Sequence, residues 1–141
     1  MTLGPPPAVV LRLTKELAAS RQVNAAIDAF LRGDFDICIT LAGAAEGIFS
    51  HRKGTDLHTV MMRDPRAQQF GKELNAGLNA ERDWLKHSNP GHPTEIEITP
   101  FEAAYMLIRA MTKLDEWTPK MDEIKPVIHA VVMASAAPEN K

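Results

Sequence analysis

Hydrophobic residues recur along most of the chain at the helical spacings of three and four residues, which is typical of amphipathic α-helices. Two such segments lie near the start, at residues 8–20 and 23–31. Gly33 follows the second segment, and glycine commonly ends a helix in the left-handed conformation. We therefore predict two short helices preceded by a flexible end at residues 1–7. The apolar face of the first helix would carry Val10, Leu13 and Leu17.

A third segment, DFDICITLAGAAEGIFSHR, is apolar on almost every face. Such a helix is typical of the centre of a bundle, and Asp34 or Asp36 can cap its start. A glycine inside a helix costs about 1 kcal/mol relative to alanine. Gly43 and Gly47 therefore indicate that neighbouring backbones approach this helix closely. Glu46 lies in the same apolar run, so its carboxylate needs a partner.

The rest of the chain contains three helix starts. Residues 64–65 (DP) supply an N-cap and a first-turn proline for a long helix that ends at about His87. Residues 99–102 (TPFE) match a capping box with proline in the first turn. Residues 118–119 (TP) open the last helix, and we expect Pro126 to break or kink it.

These elements predict an all-α fold, namely an up-and-down helical bundle of four main helices with short additional helices. A length of 141 residues fits a single domain over residues 1–141, with flexible ends at residues 1–7 and 136–141. The alternation at Glu95–Ile98 is too short for more than one extended stretch.

Composition and charge narrow the classes of partner. With 45% hydrophobic and 24% charged residues, the chain is a globular protein rather than a disordered one. The net charge of −2 gives no overall basic field, so no DNA partner is expected and RNA would need a local basic patch. Cys38 lies in an apolar run and is expected to be a buried hydrophobe. Without a signal peptide or an apolar run of membrane-spanning length, we expect a cytoplasmic protein with no membrane partner.

Two carboxylates lie on apolar helix faces. The helix that ends at His87 places Glu81 near the middle of its apolar stripe, as the third segment does for Glu46. A carboxylate that faces a core is costly unless it is paired. We expect Arg82 or Arg109 to be the partner. Both a structural ion pair and a catalytic carboxylate are consistent with this pattern.

The stretch RDWLKHSNP, residues 82–90, contains the candidate chemistry. Asp83 and His87 are four residues apart, so the carboxylate can orient the imidazole on one helix face. Arg82 and Lys86 form a second such pair on another face. Histidine transfers protons near neutral pH, and arginine binds phosphate and stabilises developing charge, so these side chains suit phosphodiester cleavage without a metal.

The order of Arg82, a polar Asp83, three further residues and His87 resembles the motif of the HEPN superfamily (higher eukaryotes and prokaryotes nucleotide-binding). Further likeness lies in ITLAGAAEGI and in ITPFEAAYMLIRA. Members are small helical bundles, often homodimers, and many are metal-independent ribonucleases that act as toxins. The resemblance implies RNA as substrate, no cofactor, a homodimer and an antitoxin as candidate partner. It implies Arg82, Asp83 and His87 as catalytic residues, and we expect binding contacts from Lys86, Glu46 and Arg109.

Two other functions fit the sequence. In a non-catalytic dimeric interaction module, Lys86 and His87 would complement the helix dipole, and Trp84 would pack in the core or a dimer interface. In a metal-binding bundle, the ligands would be Glu46 and several histidines: His51, His58, His87 and His92. No two of these histidines have the spacing of a helical metal site, so exposed loop histidines are the simpler interpretation. His129, in VIHAVV, is expected to be a half-buried core residue.

Overall fold

The computed structural model describes residues 2–49, 51–52 and 79–136, and these residues form helices and connecting segments without any strand. The all-α prediction is confirmed. Whether the bundle is up-and-down stays a prediction. The described helices are α1 (Lys15–Arg32), α2 (Phe35–Ile48), α3 (residues 79–86, where the description resumes), α4 (Pro100–Met111) and α5 (Pro119–Ala136).

Helix α1 replaces the two short helices expected near the start. It begins at Lys15 after Thr14, whose Oγ1 accepts a hydrogen bond from the Leu17 amide at 3.0 Å. The expected apolar face at Val10, Leu13 and Leu17 was wrong, because all three side chains are exposed. The buried stripe instead runs without interruption along α1 through Ala19, Val23, Ala26, Ile27 and Phe30. That stripe spans the expected break, and Gly33 ends the helix at φ 86° as predicted.

Helix α2 contacts both α1 and α4. Asp34 occupies the N-cap position but makes no capping hydrogen bond, because its carboxylate accepts from Arg32 Nε at 3.1 Å instead. One face of α2 is open to solvent around Ile37. Helix α4 is the more enclosed of the two, with every residue from 103 to 108 buried.

Helices α4 and α5 begin where the sequence predicts. Thr99 caps α4 in a capping box, in which Glu102 Oε2 accepts from the Thr99 amide at 3.0 Å. Helix α5 continues through Pro126, so the helix is not broken there, whereas a kink at Pro126 stays a prediction. Pro126 is exposed, whereas Ile124 and Ile128 on either side are buried against the core, and their packing holds the two halves of the helix together.

Several sequence predictions lie outside the described residues. They include the helix start at residues 64–65, the position of His58 and the final residues 137–141. Within the described part of the chain, each helix is too short or too polar to cross a membrane. Residues 95–98 adopt no regular secondary structure.

Candidate functional site

Arg82 projects from α3 onto the surface of α2. Its Nη1 donates to Glu46 Oε2 at 2.8 Å and its Nη2 donates to the Gly43 carbonyl at 3.0 Å. A Cβ atom added to Gly43 would lie 2.8 Å from Arg82 Nε, which is too close for a non-bonded contact. The glycine predicted to admit a neighbouring backbone therefore admits the arginine side chain instead.

The Glu46 carboxylate is shared by two arginines. Arg109 Nη2, on α4, donates to both carboxylate oxygens at 3.2 Å, and Arg109 Nη1 donates to Asn79 Oδ1 at 3.3 Å. Glu46 is only 7% exposed, which confirms that it is buried and ion-paired. Both expected partners are present rather than one. Because two guanidinium groups share one carboxylate, the cluster keeps a net positive charge and links α2, α3 and α4.

Glu81 has no arginine partner among the described residues, so that expectation was wrong. Both candidate arginines bind Glu46 instead. The Glu81 Oε2 atom is buried and accepts no hydrogen bond from the described part of the chain. Burial, and to a lesser extent the nearby Glu102 carboxylate, raise the pKa of Glu81 to about 7.

The four residues of the RDWLKH stretch proposed to bind or cleave phosphate line one surface pocket. It has a volume of about 180 Å³ and is bounded by Asn79, Arg82, Asp83, Lys86 and His87. Arg82 and His87 would lie about 140° apart on a regular helix. Since His87 directly follows the last helical residue of α3, its side chain still reaches the pocket of Arg82. The pocket is smaller than the roughly 300–1,000 Å³ typical of whole-ligand sites, and suits a group the size of a phosphate.

Asp83 makes its hydrogen bond to His92, which the sequence analysis named as a candidate metal ligand but not as a partner of Asp83. Its Oδ2 accepts from His92 Nε2 at 2.8 Å, whereas its Oδ1 lies 4.0 Å from His87 Nε2. The expected contact with His87 is therefore longer than a hydrogen bond. The His92 side chain is 20% exposed, against 63% for His87, so His92 is not the exposed loop histidine expected.

A tight turn brings His92 back to α3. The Asn89 side chain accepts from the Gly91 amide at 2.9 Å, and the Asn89 carbonyl accepts from the His92 amide at 2.9 Å. Trp84 Nε1 donates to the Pro93 carbonyl at 2.9 Å, and this hydrogen bond connects the segment after the turn to α3. Trp84 thus holds this loop instead of packing in the core. The sequence SNPG predicted the turn, but it did not predict the hydrogen bond between Asp83 and His92, which are nine residues apart.

The other candidate ligands and nucleophiles that the structure describes do not join the site. His51 is exposed, and so is His129, which corrects the expectation of a half-buried residue. Within the described ranges, no three His, Cys, Asp or Glu side chains cluster in a way that could hold a metal ion. Cys38 is buried as expected, and desolvation raises the pKa of its thiol to about 12, so it is no nucleophile at neutral pH.

Comparison with protein-family models, curated proteins and solved structures finds no match to this chain. The resemblance to the HEPN superfamily stays a prediction from the motif. Function is therefore argued from the pocket beside α3 and from the charges that surround it.

Proposed function

We propose that the chain is a metal-independent endoribonuclease of HEPN type. The observation that carries the proposal is the shared pocket of Arg82, Lys86 and His87. The reaction is attack of a ribose 2′-hydroxyl on the adjacent phosphate, which yields a cyclic phosphate and a free 5′-hydroxyl. This chemistry requires a cation at the phosphate and a proton-transfer group beside it.

Arg82 is well placed to bind the phosphate. A guanidinium group has five N–H donors. The contacts to Glu46 and the Gly43 carbonyl use one donor on each terminal nitrogen, which leaves the second donor on each. Because Glu46 and Gly43 fix the plane of the guanidinium, little conformational entropy is lost when the fork engages two phosphate oxygens. Lys86 adds a second positive charge at the same pocket.

His87 is the proton-transfer group nearest to that phosphate position. Its side chain is 63% exposed, so its ring nitrogens can exchange protons with solvent and reach a bound substrate. Asp83 would repel a phosphate if its carboxylate were free. Its Oδ2 already accepts a hydrogen bond from His92 Nε2 at 2.8 Å, so one of the two carboxylate oxygens is engaged in the loop contact.

A second candidate function is a non-catalytic dimeric interaction module. The ion pairs of Arg82 and Arg109 with Glu46 support this second function, because they connect three helices as purely structural ion pairs would. The segment before α1 also exposes several large apolar side chains, which could pack against another chain: Leu3, Val9, Val10 and Leu11. A homodimer and an antitoxin partner belong to the proposal as expectations from the family resemblance.

Cleavage of a labelled single-stranded RNA in EDTA separates the two candidates. His87→Ala removes an exposed side chain, so the variant should fold normally and lose about 10²–10⁴ in rate. Arg82→Lys keeps the charge but not the bidentate fork, and should also be inactive. Mass analysis should find cyclic phosphate ends for wild type alone. Equal cleavage by all three proteins would reveal a contaminating nuclease. If folded wild-type protein cleaves no RNA, the interaction module is favoured.

A further inference from the structure

The hydrogen bond between Asp83 and His92 identifies a ring nitrogen of His92 that carries a proton. A carboxylate only accepts hydrogen bonds, so His92 Nε2 must carry the proton that it donates to Asp83 Oδ2 at 2.8 Å. In neutral His92 the lone pair is then on Nδ1. A carboxylate that holds a histidine in one tautomer, with its other nitrogen free as a base, is the arrangement used by hydrolases of the Ser-His-Asp type.

His92 and His87 line the same depression. It has a volume of about 350 Å³ and is bounded by both histidines together with Trp84, Ser88, Asn89, Pro93 and Thr94. That volume is within the roughly 300–1,000 Å³ typical of ligand sites. His87 also lines the smaller pocket of Arg82 and Lys86. His87 therefore lies between a phosphate position beside Arg82 and the depression that His92 lines.

We propose that His92 is the general base of the reaction and that His87 is its general acid. The inference rests on the proposed function. His92 Nδ1 takes the proton of the 2′-hydroxyl as the 2′-oxygen forms its bond to phosphorus. The bond between phosphorus and the 5′-oxygen breaks, and protonated His87 gives its proton to that oxygen. His92 ends protonated and His87 neutral, and proton exchange with solvent restores both.

The two histidines differ in the way that these roles require. His92 is held by Asp83 and by the turn at Asn89, and its ring is only 20% exposed, which suits a base with a fixed lone pair. His87 lies 4.0 Å from the nearest Asp83 oxygen and is 63% exposed, so it can pick up a proton from solvent in each turnover. Asp83 is in this scheme a positioning residue for His92.

A substrate with sulfur in place of the leaving 5′-oxygen distinguishes a base from an acid. A thiolate leaves without protonation, so loss of the general acid matters little with this substrate, whereas loss of the general base still matters. The probe is an oligoribonucleotide that wild type cleaves in EDTA, synthesised again with a 5′-bridging sulfur at the cleaved linkage. His92→Gln is the main variant, because glutamine can still donate to Asp83 and keep the loop folded. His129→Ala, which removes an exposed histidine on α5, is the matched control.

We expect His92→Gln to lose about 10²–10⁴ in rate on both substrates. His87→Ala should lose as much on the oxygen substrate and recover on the sulfur substrate, and His129→Ala should match wild type on both. Recovery of His92→Gln on sulfur, or wild-type rates for it on oxygen, would overturn the assignment of His92 as base. If wild type cleaves no oligoribonucleotide in EDTA, so that no such probe can be made, the proposed ribonuclease function is overturned, and the inference with it.

Discussion

Replacement of Glu46 by alanine tests the central ion-pair cluster. The substitution leaves Arg82 and Arg109 facing each other without the carboxylate that both bind, at N–O distances of 2.8 and 3.2 Å. Breaking a buried ion pair by removing one partner costs about 3–5 kcal/mol, whereas an exposed pair contributes about 0–1 kcal/mol. The Glu46 cluster is closer to the buried case, because its three side chains are only 10–19% exposed.

Both arginines can turn their charged ends toward water once Glu46 is gone, and this lowers the cost. We therefore expect a loss of about 2–3 kcal/mol in the free energy of unfolding. For a chain of this length, about 3–4 °C is lost per kcal/mol, so Tm should fall by about 6–12 °C. Glu46→Gln should lose less, because the amide oxygen still accepts one of the hydrogen bonds.

Urea denaturation followed by circular dichroism measures this difference. The matched control is Asp28→Ala, which removes the exposed partner of Lys120, at 2.7 Å in the wild type. Since these two side chains are 48% and 41% exposed, the control should lose at most about 1 kcal/mol. If Glu46→Ala unfolds at the same urea concentration as wild type, Glu46 does not hold the helices together in solution and the reasoning fails.

Two further substitutions probe the same region. Gly43→Ala should destabilise the protein and weaken any RNA cleavage, because its Cβ would lie 2.8 Å from Arg82 Nε. Gly47→Ala, where the nearest Arg82 atom is 3.8 Å away, should instead raise the free energy of unfolding by up to about 1 kcal/mol through helix propensity. Thermal melts measure both changes. Glu81→Gln should raise stability at pH 8 but not at pH 4. The folded pKa of Glu81 is about 7 against an ordinary 4.5, so the wild-type carboxyl stabilises the fold below pH 4.5 and loses that contribution as the pH rises through 7. The gain is on the order of 1 kcal/mol after solvent screening, and equal melting curves at pH 8 would contradict it.

Local signals in the sequence predicted several elements correctly. The capping box at residues 99–102 and the proline at position 119 mark the starts of α4 and α5, because these motifs act within one helical turn. The prediction from hydrophobic periodicity was wrong before α1, because the apolar residues that precede Lys15 have helical spacing but lie outside the helix. Their side chains find no partner in the described core, and the N-cap at Thr14 sets the boundary instead.

In the candidate site, too, some features could be predicted from local sequence and others could not. Glu46 could be predicted to need a cation, because a carboxylate in an apolar helix has few other solutions. How the arginines are shared between Glu46 and Glu81 depends on packing between helices. Gly43 leaves room for Arg82 against α2, and both arginines bind Glu46, so neither of them pairs with Glu81. The contact of His92 with Asp83 likewise depends on the path of the turn, which helix periodicity does not describe.

This distribution of charge bears on how an acidic chain would bind the RNA substrate that we propose. The chain has a net charge of −2, so long-range attraction would contribute little to the proposed RNA binding. Among the described residues in the pocket and in the ion-pair cluster next to it, however, three cationic side chains outnumber two carboxylates: Arg82, Lys86 and Arg109 against Glu46 and Asp83. Each carboxylate is also directed at a partner within the site, Glu46 at both arginines and Asp83 at His92. In the proposed function a phosphate would meet the N–H donors of Arg82 in a pocket that Asp83 also lines, and binding would depend on this local fork instead of on the overall field.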